Sequence, residues 1–340
     1  MNMQSSGVMC ELEKISYSKI STFEQCPLRF FKKYEEKKRS NLKTLALEIG
    51  TITHYGKELI GLALMKGEKP DYELIKEIVM SGYDEEIEKA FTEDGELLHD
   101  EAEHQTKAVR VLGLRELKEK YFFEWVEKDN KSGMDYDEKL KIYFDNLQSL
   151  ELDASWKPVA CELKFDFPYI IDNEEVFRLY GFIDRVDISA AGEYRVVDYK
   201  SSKKIFDEKY TKTPLQMFMY TLAVEHVFGK IPISHVYDFM LLGRMQDVCS
   251  KGYYKRGTDK LAKLWRGLQE CRENSIWPAK PTPLCHWCDY CKTNKSTSEE
   301  LSDECPYYSL WTPNNKTFEV NKKYEEGTLE IEKKASGFWF

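Results

Sequence analysis

Alternating polar and apolar residues predict β-structure in the middle of the chain. Residues 160–167 alternate between polar and apolar, as a half-buried strand does, and we expect them to pair with residues 176–186. Two stretches rich in apolar and aromatic residues follow at 180–189 and 193–200. A largely apolar stretch at 236–242 predicts one further strand.

A short loop sets the register between the two central stretches. The loop, residues 190–192, ends on Gly192, where a three-residue hairpin loop needs a left-handed residue. Such a loop pairs Ser189 with Glu193. The pairing of every residue further along the hairpin follows from this turn.

Helical spacing precedes the strands. Apolar residues recur at helical intervals at Ile20, Phe23, Phe30, Phe31 and Tyr34. Because Pro27 interrupts this pattern, we expect a break at Gln25–Cys26 and a new helix from Pro27. Ser21 and Glu24 have the spacing of a capping box, which predicts a helix start there.

Further helices are expected on both sides of the strands. Residues 50–54 read Gly-Thr-Ile-Thr-His and open or enter a helix, and helices are predicted over about 214–228 and 257–273. The acidic stretch 70–150 has heptad-like apolar spacing and is predicted to be mostly helical. The spacing is carried by Leu74, Ile75, Ile78, Val109, Leu112, Leu114 and Leu117. The resulting order is a helix, three antiparallel strands, a helix and a strand.

Composition indicates a folded protein with reduced cysteines. The chain has 340 residues, of which 42% are hydrophobic and 14% aromatic, so a packed core is expected. No apolar run is long enough to span a membrane, and no secretory signal is recognisable. Nine cysteines then favour thiols or metal ligands over disulfides. We therefore expect a cytoplasmic protein without a membrane partner.

The net charge of −9 is unfavourable for a nucleic-acid partner, but charge is local. Acidic residues concentrate between about 68 and 153, whereas basic residues cluster in three other segments. The clusters are Arg29, Lys32, Lys33, Lys37, Lys38, Arg39 and Lys43; Lys200, Lys203, Lys204, Lys209 and Lys212; and Lys251, Lys255, Arg256, Lys260, Lys263 and Arg266. They would form a phosphate-binding groove if they met on one face, and ordinary solvated surfaces if they did not.

Candidate chemistry lies on the hairpin itself. Counting back from the loop places Asp184 directly opposite Asp198, and Lys200 projects from the same face as Asp198. Opposed carboxylates repel each other, and a hard divalent cation between them would remove that repulsion. The competing interpretation is a solvated strand face.

The hairpin residues resemble a known nuclease motif. Gly181-Phe-Ile-Asp-Arg-Val-Asp187 followed by Val197-Asp-Tyr-Lys200 is similar to the core of PD-(D/E)XK nucleases. It most resembles the branch with the RecB and AddB nuclease domains and the iron–sulfur nucleases of CRISPR adaptation. The resemblance runs from about residue 17 to 306 without 70–150, and it implies an α/β restriction-endonuclease-like αβββαβ core with a mixed sheet.

The resemblance also implies a division of the chain. We expect N-terminal helices over 15–69, a helical insertion over 70–150 and the nuclease core over 151–284. A cysteine-cluster segment over 285–310 and a C-terminal tail over 311–340 would follow.

Several residue roles follow from the resemblance alone. Asp184 and Asp198 would hold Mg²⁺ or Mn²⁺, with His54 and the carbonyl of Tyr199 as further ligands. Lys200 would orient the attacking water, and Gln216 and Tyr220, which share a helix face, would position the strand. Glu162 either points toward the metal or, as the stronger expectation, faces solvent. The corresponding alternative for His54 is a structural histidine.

A second motif is the cysteine run Cys285-His-Trp-Cys288-Asp-Tyr-Cys291, with Cys305-Pro306 further on. Four thiolates would suit either structural zinc or a [4Fe–4S] cluster. By resemblance, Cys26, Cys285, Cys288 and Cys305 are the iron–sulfur ligands, and Cys291 is a rival for the fourth position. Isolated cysteines are expected to be structural: Cys10, Cys161, Cys249 and Cys271.

These observations together predict a metal-dependent DNA nuclease, most readily an exonuclease in DNA repair, recombination or phage or CRISPR DNA processing. Its DNA is expected to include a single-stranded portion. No helicase motif is recognisable, so unwinding would come from a helicase or recombination partner. The alternative is a non-catalytic or partner-activated DNA-binding subunit of a helicase–nuclease complex.

Overall fold

A six-stranded mixed sheet organises the fold. The computed structural model describes residues 12–38, 43–87, 107–130, 132–147, 155–291 and Cys305. In chain order the strands are β1 (Lys14–Ile15), β2 (Gly82–Ile87), β3 (Lys107–Leu112), β4 (Trp156–Ile171), β5 (Glu174–Ser189), β6 (Tyr194–Lys200), β7 (Ser234–Phe239) and β8 (Arg244–Asp247). Of these, β2 and β3 pair separately as an antiparallel ribbon, which was not predicted.

The described part of the chain contains helices before, between and after these strands. They are α1 (Tyr17–Gln25), α2 (Pro27–Phe30), α3 (Leu45–Lys66), α4 (Tyr72–Ser81), α5 (Leu114–Lys120), α6 (Phe122–Val126), α7 (Tyr136–Asp145), α8 (Glu208–Thr211), α9 (Leu215–Phe228) and α10 (Tyr253–Asn274). A π-helical turn, Phe31–Glu35, continues α2, and a 3-10 turn, Pro283–Trp287, carries the first cysteine of the C-terminal run.

The sheet has the predicted connectivity. Strand β5 is antiparallel to β4 and β6, β7 is parallel to β6, and β8 is antiparallel to β7. The short β1 lies parallel to the first half of β5. Helix α9 connects β6 to its parallel neighbour β7, as a parallel pair requires. The mixed αβββαβ architecture expected from the sequence is therefore confirmed.

The central hairpin has the predicted turn. Gly192 has a φ of 75°, and Ser189 donates its N–H to the Glu193 carbonyl at 2.9 Å. The ladder then runs from Ile188 opposite Tyr194 to Arg185 opposite Val197. The two strands stop pairing one position before the aspartates, which leaves room for their side chains to approach each other.

Two hydrophobic clusters lie on opposite sides of β6. Val196 belongs to the first cluster, with residues of α1, α2, α9 and α10, whereas Val197 and Tyr199 belong to the second, with residues of α3 and the insertion. Because neighbouring side chains of a strand point to opposite faces, β6 is buried on both. Burial of each large apolar side chain contributes about 1.5–3 kcal/mol.

The N-terminal helices differ from prediction in one detail. Ser16, not Ser21, caps α1, because its hydroxyl accepts the Lys19 N–H at 3.2 Å. The predicted capping box at Ser21 and Glu24 is therefore wrong, and both lie inside the helix. Cys26 has extended backbone, with φ −163° and ψ 111°, and forms the predicted break before Pro27.

The insertion packs on α3. Tyr143 of α7 donates its hydroxyl to the Thr53 carbonyl at 2.9 Å, and a Cβ at Gly56 would lie 2.2 Å from that hydroxyl. Helices α4 to α7 lie between residues 72 and 145, but Val109 and Leu112 lie in β3, not in the predicted helix. Within the described ranges, no helix is both long and apolar enough to cross a membrane. The predicted tail at 311–340, Cys10 and Pro306 lie outside those ranges.

Candidate functional site

Two aspartates meet where the central hairpin opens. Asp184 lies in β5 directly before Arg185, the last residue of this strand, counted from the loop, that pairs with β6. Its Oδ2 accepts the Tyr199 N–H at 2.6 Å. Asp198 lies in β6 with 1% of its surface exposed. Burial is the main reason that the pKa of each carboxyl is raised to about 6, and the Asp184 charge contributes to the raised pKa of Asp198. The structure thus brings the two predicted carboxylates together in a desolvated site.

Lys200 connects these carboxylates to α9. Its ammonium forms an ion pair with Asp198 Oδ2 and donates to Gln216 Oε1 at 3.0 Å. The Gln216 Nε2 donates in turn to the Tyr220 hydroxyl at 2.9 Å. Because Gln216 and Tyr220 are one helical turn apart, α9 presents both to the end of β6. The predicted set Asp198, Lys200, Gln216 and Tyr220 is therefore one continuous polar chain.

His54 reaches the same site from α3. Its Nδ1 lies 3.7 Å from Asp184 Oδ2, and its ring meets the Tyr199 ring edge-on at a centroid distance of 5.5 Å. Burial lowers its pKa to about 4, so the imidazole is neutral at pH 7 and has a lone pair available. The helix approaches closely because Gly50 lies against Ser201, where a Cβ would be 3.1 Å from the Ser201 hydroxyl.

Two glutamates complete the wall of the cleft. Glu162 and Glu58 line an open pocket of about 430 Å³ together with His54 and Asp184. Glu162 lies in β4 between the residues paired with Arg185 and Ile183, and its φ of 46° is a left-handed conformation uncommon outside glycine. Glu162 is half-buried and lines the open cleft beside Asp184, so it remains in contact with solvent and also lies near the proposed metal ligands.

Glu58 was missed by sequence reasoning. It lies four residues after His54 in α3 and raises the pKa of Asp184 through its charge. The available signal was its helical spacing from His54, which puts both residues on one face.

The residues present fit a divalent cation by chemistry. Two carboxylates that oppose each other's ionisation, beside a neutral imidazole, make a donor set suited to Mg²⁺ or Mn²⁺. In the part of the chain that the structure describes, no three His, Cys, Asp or Glu side chains are already arranged to hold an ion. The fit therefore rests on donor type, burial and mutual repulsion.

A second cavity gathers cysteines from both ends of the core. Its lining residues include Cys26, Cys285, Cys288, Cys291 and Cys305. The fully buried Cys291 thiol lies beside three of these cysteines and interacts with the sulfurs of Cys285, Cys288 and Cys305. The Cys26 sulfur accepts the Lys280 N–H at 3.3 Å, and burial raises the pKa of Cys26 to about 11.

This cavity favours thiolates at its C-terminal side. The contact with Cys291, together with a smaller contribution from the charge of Arg29, lowers the pKa of Cys285 to about 6. Thiolate sulfurs are the ligands of zinc and of iron–sulfur clusters, so the donor set fits either group. Cys161, Cys249 and Cys271 do not line the cavity.

Many basic residues of the three predicted clusters are engaged in structural contacts. Ion pairs are formed by Lys32 and Lys38 with Glu36, Lys212 with Glu208, Lys255 with Asp259, Lys260 with Glu24, and Arg266 with Asp172. Arg256 donates to Thr213, Ser250 and the carbonyls of Lys212 and Lys251. Among the described residues, these cations are thus partly neutralised by groups of the protein itself.

Comparison with known proteins gives a family and a distant relative. The family model of the PD-(D/E)XK nuclease superfamily matches residues 14–293. One subunit of an ATP-dependent helicase/deoxyribonuclease of Clostridium botulinum (strain Loch Maree / Type A3) is 26% identical over 226 residues. This match covers 62% of the chain but 18% of the relative, so the chain spans a minor part of that protein's length.

Proposed function

Since the chain belongs to the PD-(D/E)XK nuclease superfamily, we propose that it is a metal-dependent deoxyribonuclease that hydrolyses phosphodiester bonds. The observation that carries this proposal is the meeting of the half-buried Asp184 and Lys200 with the buried Asp198 at the open end of the hairpin. Two carboxylates with raised pKa values beside an ammonium are a costly arrangement for a purely structural sheet. Perturbed groups of this kind cluster at functional sites.

Asp184 and Asp198 would hold Mg²⁺ or Mn²⁺, with His54 and the Tyr199 carbonyl as further ligands and Glu162 and Glu58 on the cleft wall. The bound metal would supply a more acidic water and polarise the scissile phosphate. Tyr199 itself fixes Asp184, because its N–H donates to that carboxylate at 2.6 Å. The neutral state of His54 favours a ligand role over that of a proton donor.

Lys200 would orient the attacking water and stabilise charge that develops on the phosphate. Its ammonium is held from two sides, by Asp198 and by Gln216 Oε1, so its position is fixed before substrate arrives. Tyr220 holds Gln216 in the orientation that accepts from Lys200. We propose that Gln216 and Tyr220 position Lys200, and that through Lys200 they position the DNA strand.

We further propose an exonuclease acting on DNA with a single-stranded portion, in concert with a helicase or recombination partner. The support is the name of the relative, a helicase/deoxyribonuclease subunit. Repair, recombination and phage or CRISPR DNA processing are the processes that such an activity would serve. The partner-activated or non-catalytic subunit remains the second candidate, because the relative is itself one subunit of an assembly.

The cysteine cavity would carry a [4Fe–4S] cluster or, alternatively, structural zinc. Its lining brings Cys26 of the N-terminal helices against the segment after residue 284. A metal group there would act as a clamp, since closing so long a loop removes much entropy from the unfolded chain. It lies on different elements from the aspartates, and we assign it no part in hydrolysis.

The decisive test is a cleavage assay on the purified chain with single-stranded, double-stranded and tailed DNA. Metal-free protein is assayed first, and then after addition of Mg²⁺ or Mn²⁺. We expect cleavage only with metal. Cleavage that appears solely after addition of a helicase partner supports the second candidate, and no cleavage under any of these conditions contradicts the enzyme assignment.

A further inference from the structure

A buried ion pair lies beneath the candidate metal site and has no part in the proposed chemistry. Lys57 of α3 is 1% exposed and Asp238 of β7 is 4% exposed, and their charged atoms are 3.4 Å apart. Burying two charges costs free energy unless their attraction and hydrogen bonds offset the loss of hydration. Two apolar side chains of similar size often stabilise the fold as much as such a pair. The pair is therefore a candidate for a role other than stability.

Both members are one step from a proposed metal ligand. Lys57 follows His54 by three residues in α3, so the two side chains lie on one face of the helix. Asp238 is the ladder partner of Tyr199, whose N–H holds Asp184. The ion pair thus joins α3, which supplies the imidazole, to β7, the neighbour of the strand β6 that supplies Asp198.

The same ammonium also contacts the insertion. Lys57 Nζ lies 3.5 Å from the carbonyl of Asn146, the residue that caps the C-terminus of α7. Asn146 in turn seats against Gly243 in the β7–β8 turn, where a Cβ would lie 2.6 Å from its Nδ2. Helix α3, strand β7 and the insertion therefore meet at one buried charge.

We infer that Lys57 and Asp238 are positioning residues that fix α3, and with it His54, at the distance from Asp184 that metal binding needs. The inference rests on the proposed metal-binding function and extends it to residues that touch neither metal nor DNA. Supporting contacts of this kind typically change metal affinity by about 10–100-fold when they are removed.

The test measures Mn²⁺ affinity of metal-free full-length protein by calorimetry, without DNA. In Lys57→Met/Asp238→Asn both charges are removed together, so no buried charge is left unpaired. We expect Mn²⁺ affinity to fall by about tenfold or more. Lys57→Arg, which retains the pair, should restore most of that affinity.

A matched control exists in the insertion. Lys139 is 0% exposed and pairs with Asp129, and neither residue lines the cleft that holds Asp184 and His54. Lys139→Met/Asp129→Asn neutralises a second ion pair whose lysine is fully buried, and it should leave Mn²⁺ affinity unchanged. If both double variants lose affinity equally, the effect is general loosening and the inference is wrong. If Lys57→Met/Asp238→Asn binds as tightly as the natural protein, it is also wrong.

Asp238→Glu covers the case in which the double variant fails to fold. It retains both charges and moves the contact by one methylene group, so we expect a folded protein with severalfold weaker Mn²⁺ binding. Unchanged binding would overturn the inference. If the natural protein itself binds no Mn²⁺, the proposed metal site is wrong and this inference is wrong with it. If the natural protein and all variants bind Mn²⁺ equally well, the metal site stands and only the positioning role is rejected.

Discussion

The two regions that carry candidate chemistry are assembled over very different lengths of chain. Asp184, Asp198 and Lys200 lie within one hairpin, and a three-residue loop sets their mutual position. In the cysteine cavity, Cys26 meets Cys285, which lies 259 positions later in the sequence. The first region needs only strand register, whereas the second needs the whole core to be folded.

This contrast assigns different physical roles to the two regions. The aspartates are desolvated and repel each other, so the protein gives up stability to keep them together. The cysteines join two ends of the core, so a group bound there adds stability. Substitutions in the first region should therefore affect activity without unfolding the protein, and those in the second should do the opposite.

The largest effect is expected for Asp198→Ala. Loss of a metal ligand worth several kcal/mol lowers cleavage by about 10³-fold or more. Because burial raises the pKa of Asp198 to about 6, its ionised form costs the folded state free energy at pH 7. Metal-free Asp198→Ala should thus unfold no earlier than the natural protein, as measured by thermal denaturation. Undiminished cleavage, or a collapse in unfolding temperature, would contradict the assignment.

The control is Asp187, a second aspartate of the same hairpin that is 1% exposed. Its carboxylate is paired with Arg185 and Arg195. Asp187→Asn leaves two buried guanidinium groups short of a partner and should lower stability. The pair of variants separates a residue that serves chemistry from one that serves the fold.

Lys200→Ala should lower cleavage by about 10²–10³-fold, the loss seen when one charge-stabilising group is removed. Mn²⁺ affinity should be retained or increased, because the ammonium competes with the cation for Asp198. Calorimetry on the metal-free variant, beside a cleavage assay, checks both statements. A variant that loses metal binding together with activity would show that Lys200 acts through the metal site and not on the phosphate.

The hairpin region could be predicted because its information is local. Loop length determines register, and the register brings Asp184 beside Asp198. The break in pairing next to Asp184 could not be counted from the loop, nor could the left-handed Glu162 that turns toward the cleft. Both depend on how β4 and β6 adjust to the helices packed on them.

Contacts between residues far apart in the sequence could not be predicted from sequence periodicity. Resemblance to a family, not spacing, suggested that Cys26 approaches the C-terminal cysteines. The Lys57–Asp238 pair gave no signal at all, because a lysine inside a helix is ordinarily a surface residue. The strands β2 and β3 were missed because tertiary packing overrode the helical spacing of Val109 and Leu112.

Cys26→Ala tests the second half of the comparison. Loss of the clamp should lower the unfolding temperature by about 5 °C or more and reduce the yield of soluble protein. Anaerobically purified natural protein should be brown with about four irons per chain if the group is a [4Fe–4S] cluster. Cys249→Ala, outside the cavity, is the control and should retain the metal content. Colourless protein with one zinc per chain would mean that zinc, and not an iron–sulfur cluster, forms the clamp.

Cys291→Ala and Cys305→Ala, made side by side, address the fourth ligand. By the family resemblance we expect Cys305→Ala to lose more metal. Cys291 lies between Cys285, Cys288 and Cys305, so the alternative is that Cys291→Ala loses more metal than Cys305→Ala. Metal content per chain decides between them. If only the C-terminal cysteines matter and Cys26→Ala retains full metal, the site is local and the contrast between the two regions disappears.

The smallest effect is expected at the far end of the polar chain that holds Lys200. Tyr220→Phe removes only the hydroxyl that accepts from Gln216 Nε2. A single hydrogen bond contributes about 0.5–1.5 kcal/mol, so cleavage should fall by roughly 2–10-fold. Mn²⁺ affinity and unfolding temperature should stay within error of the natural values. Tyr254→Phe is a matched control on α10, because its hydroxyl donates to Glu225, outside this chain of contacts. If both variants cleave alike, Gln216 holds Lys200 without help from Tyr220, and the positioning chain ends one residue earlier.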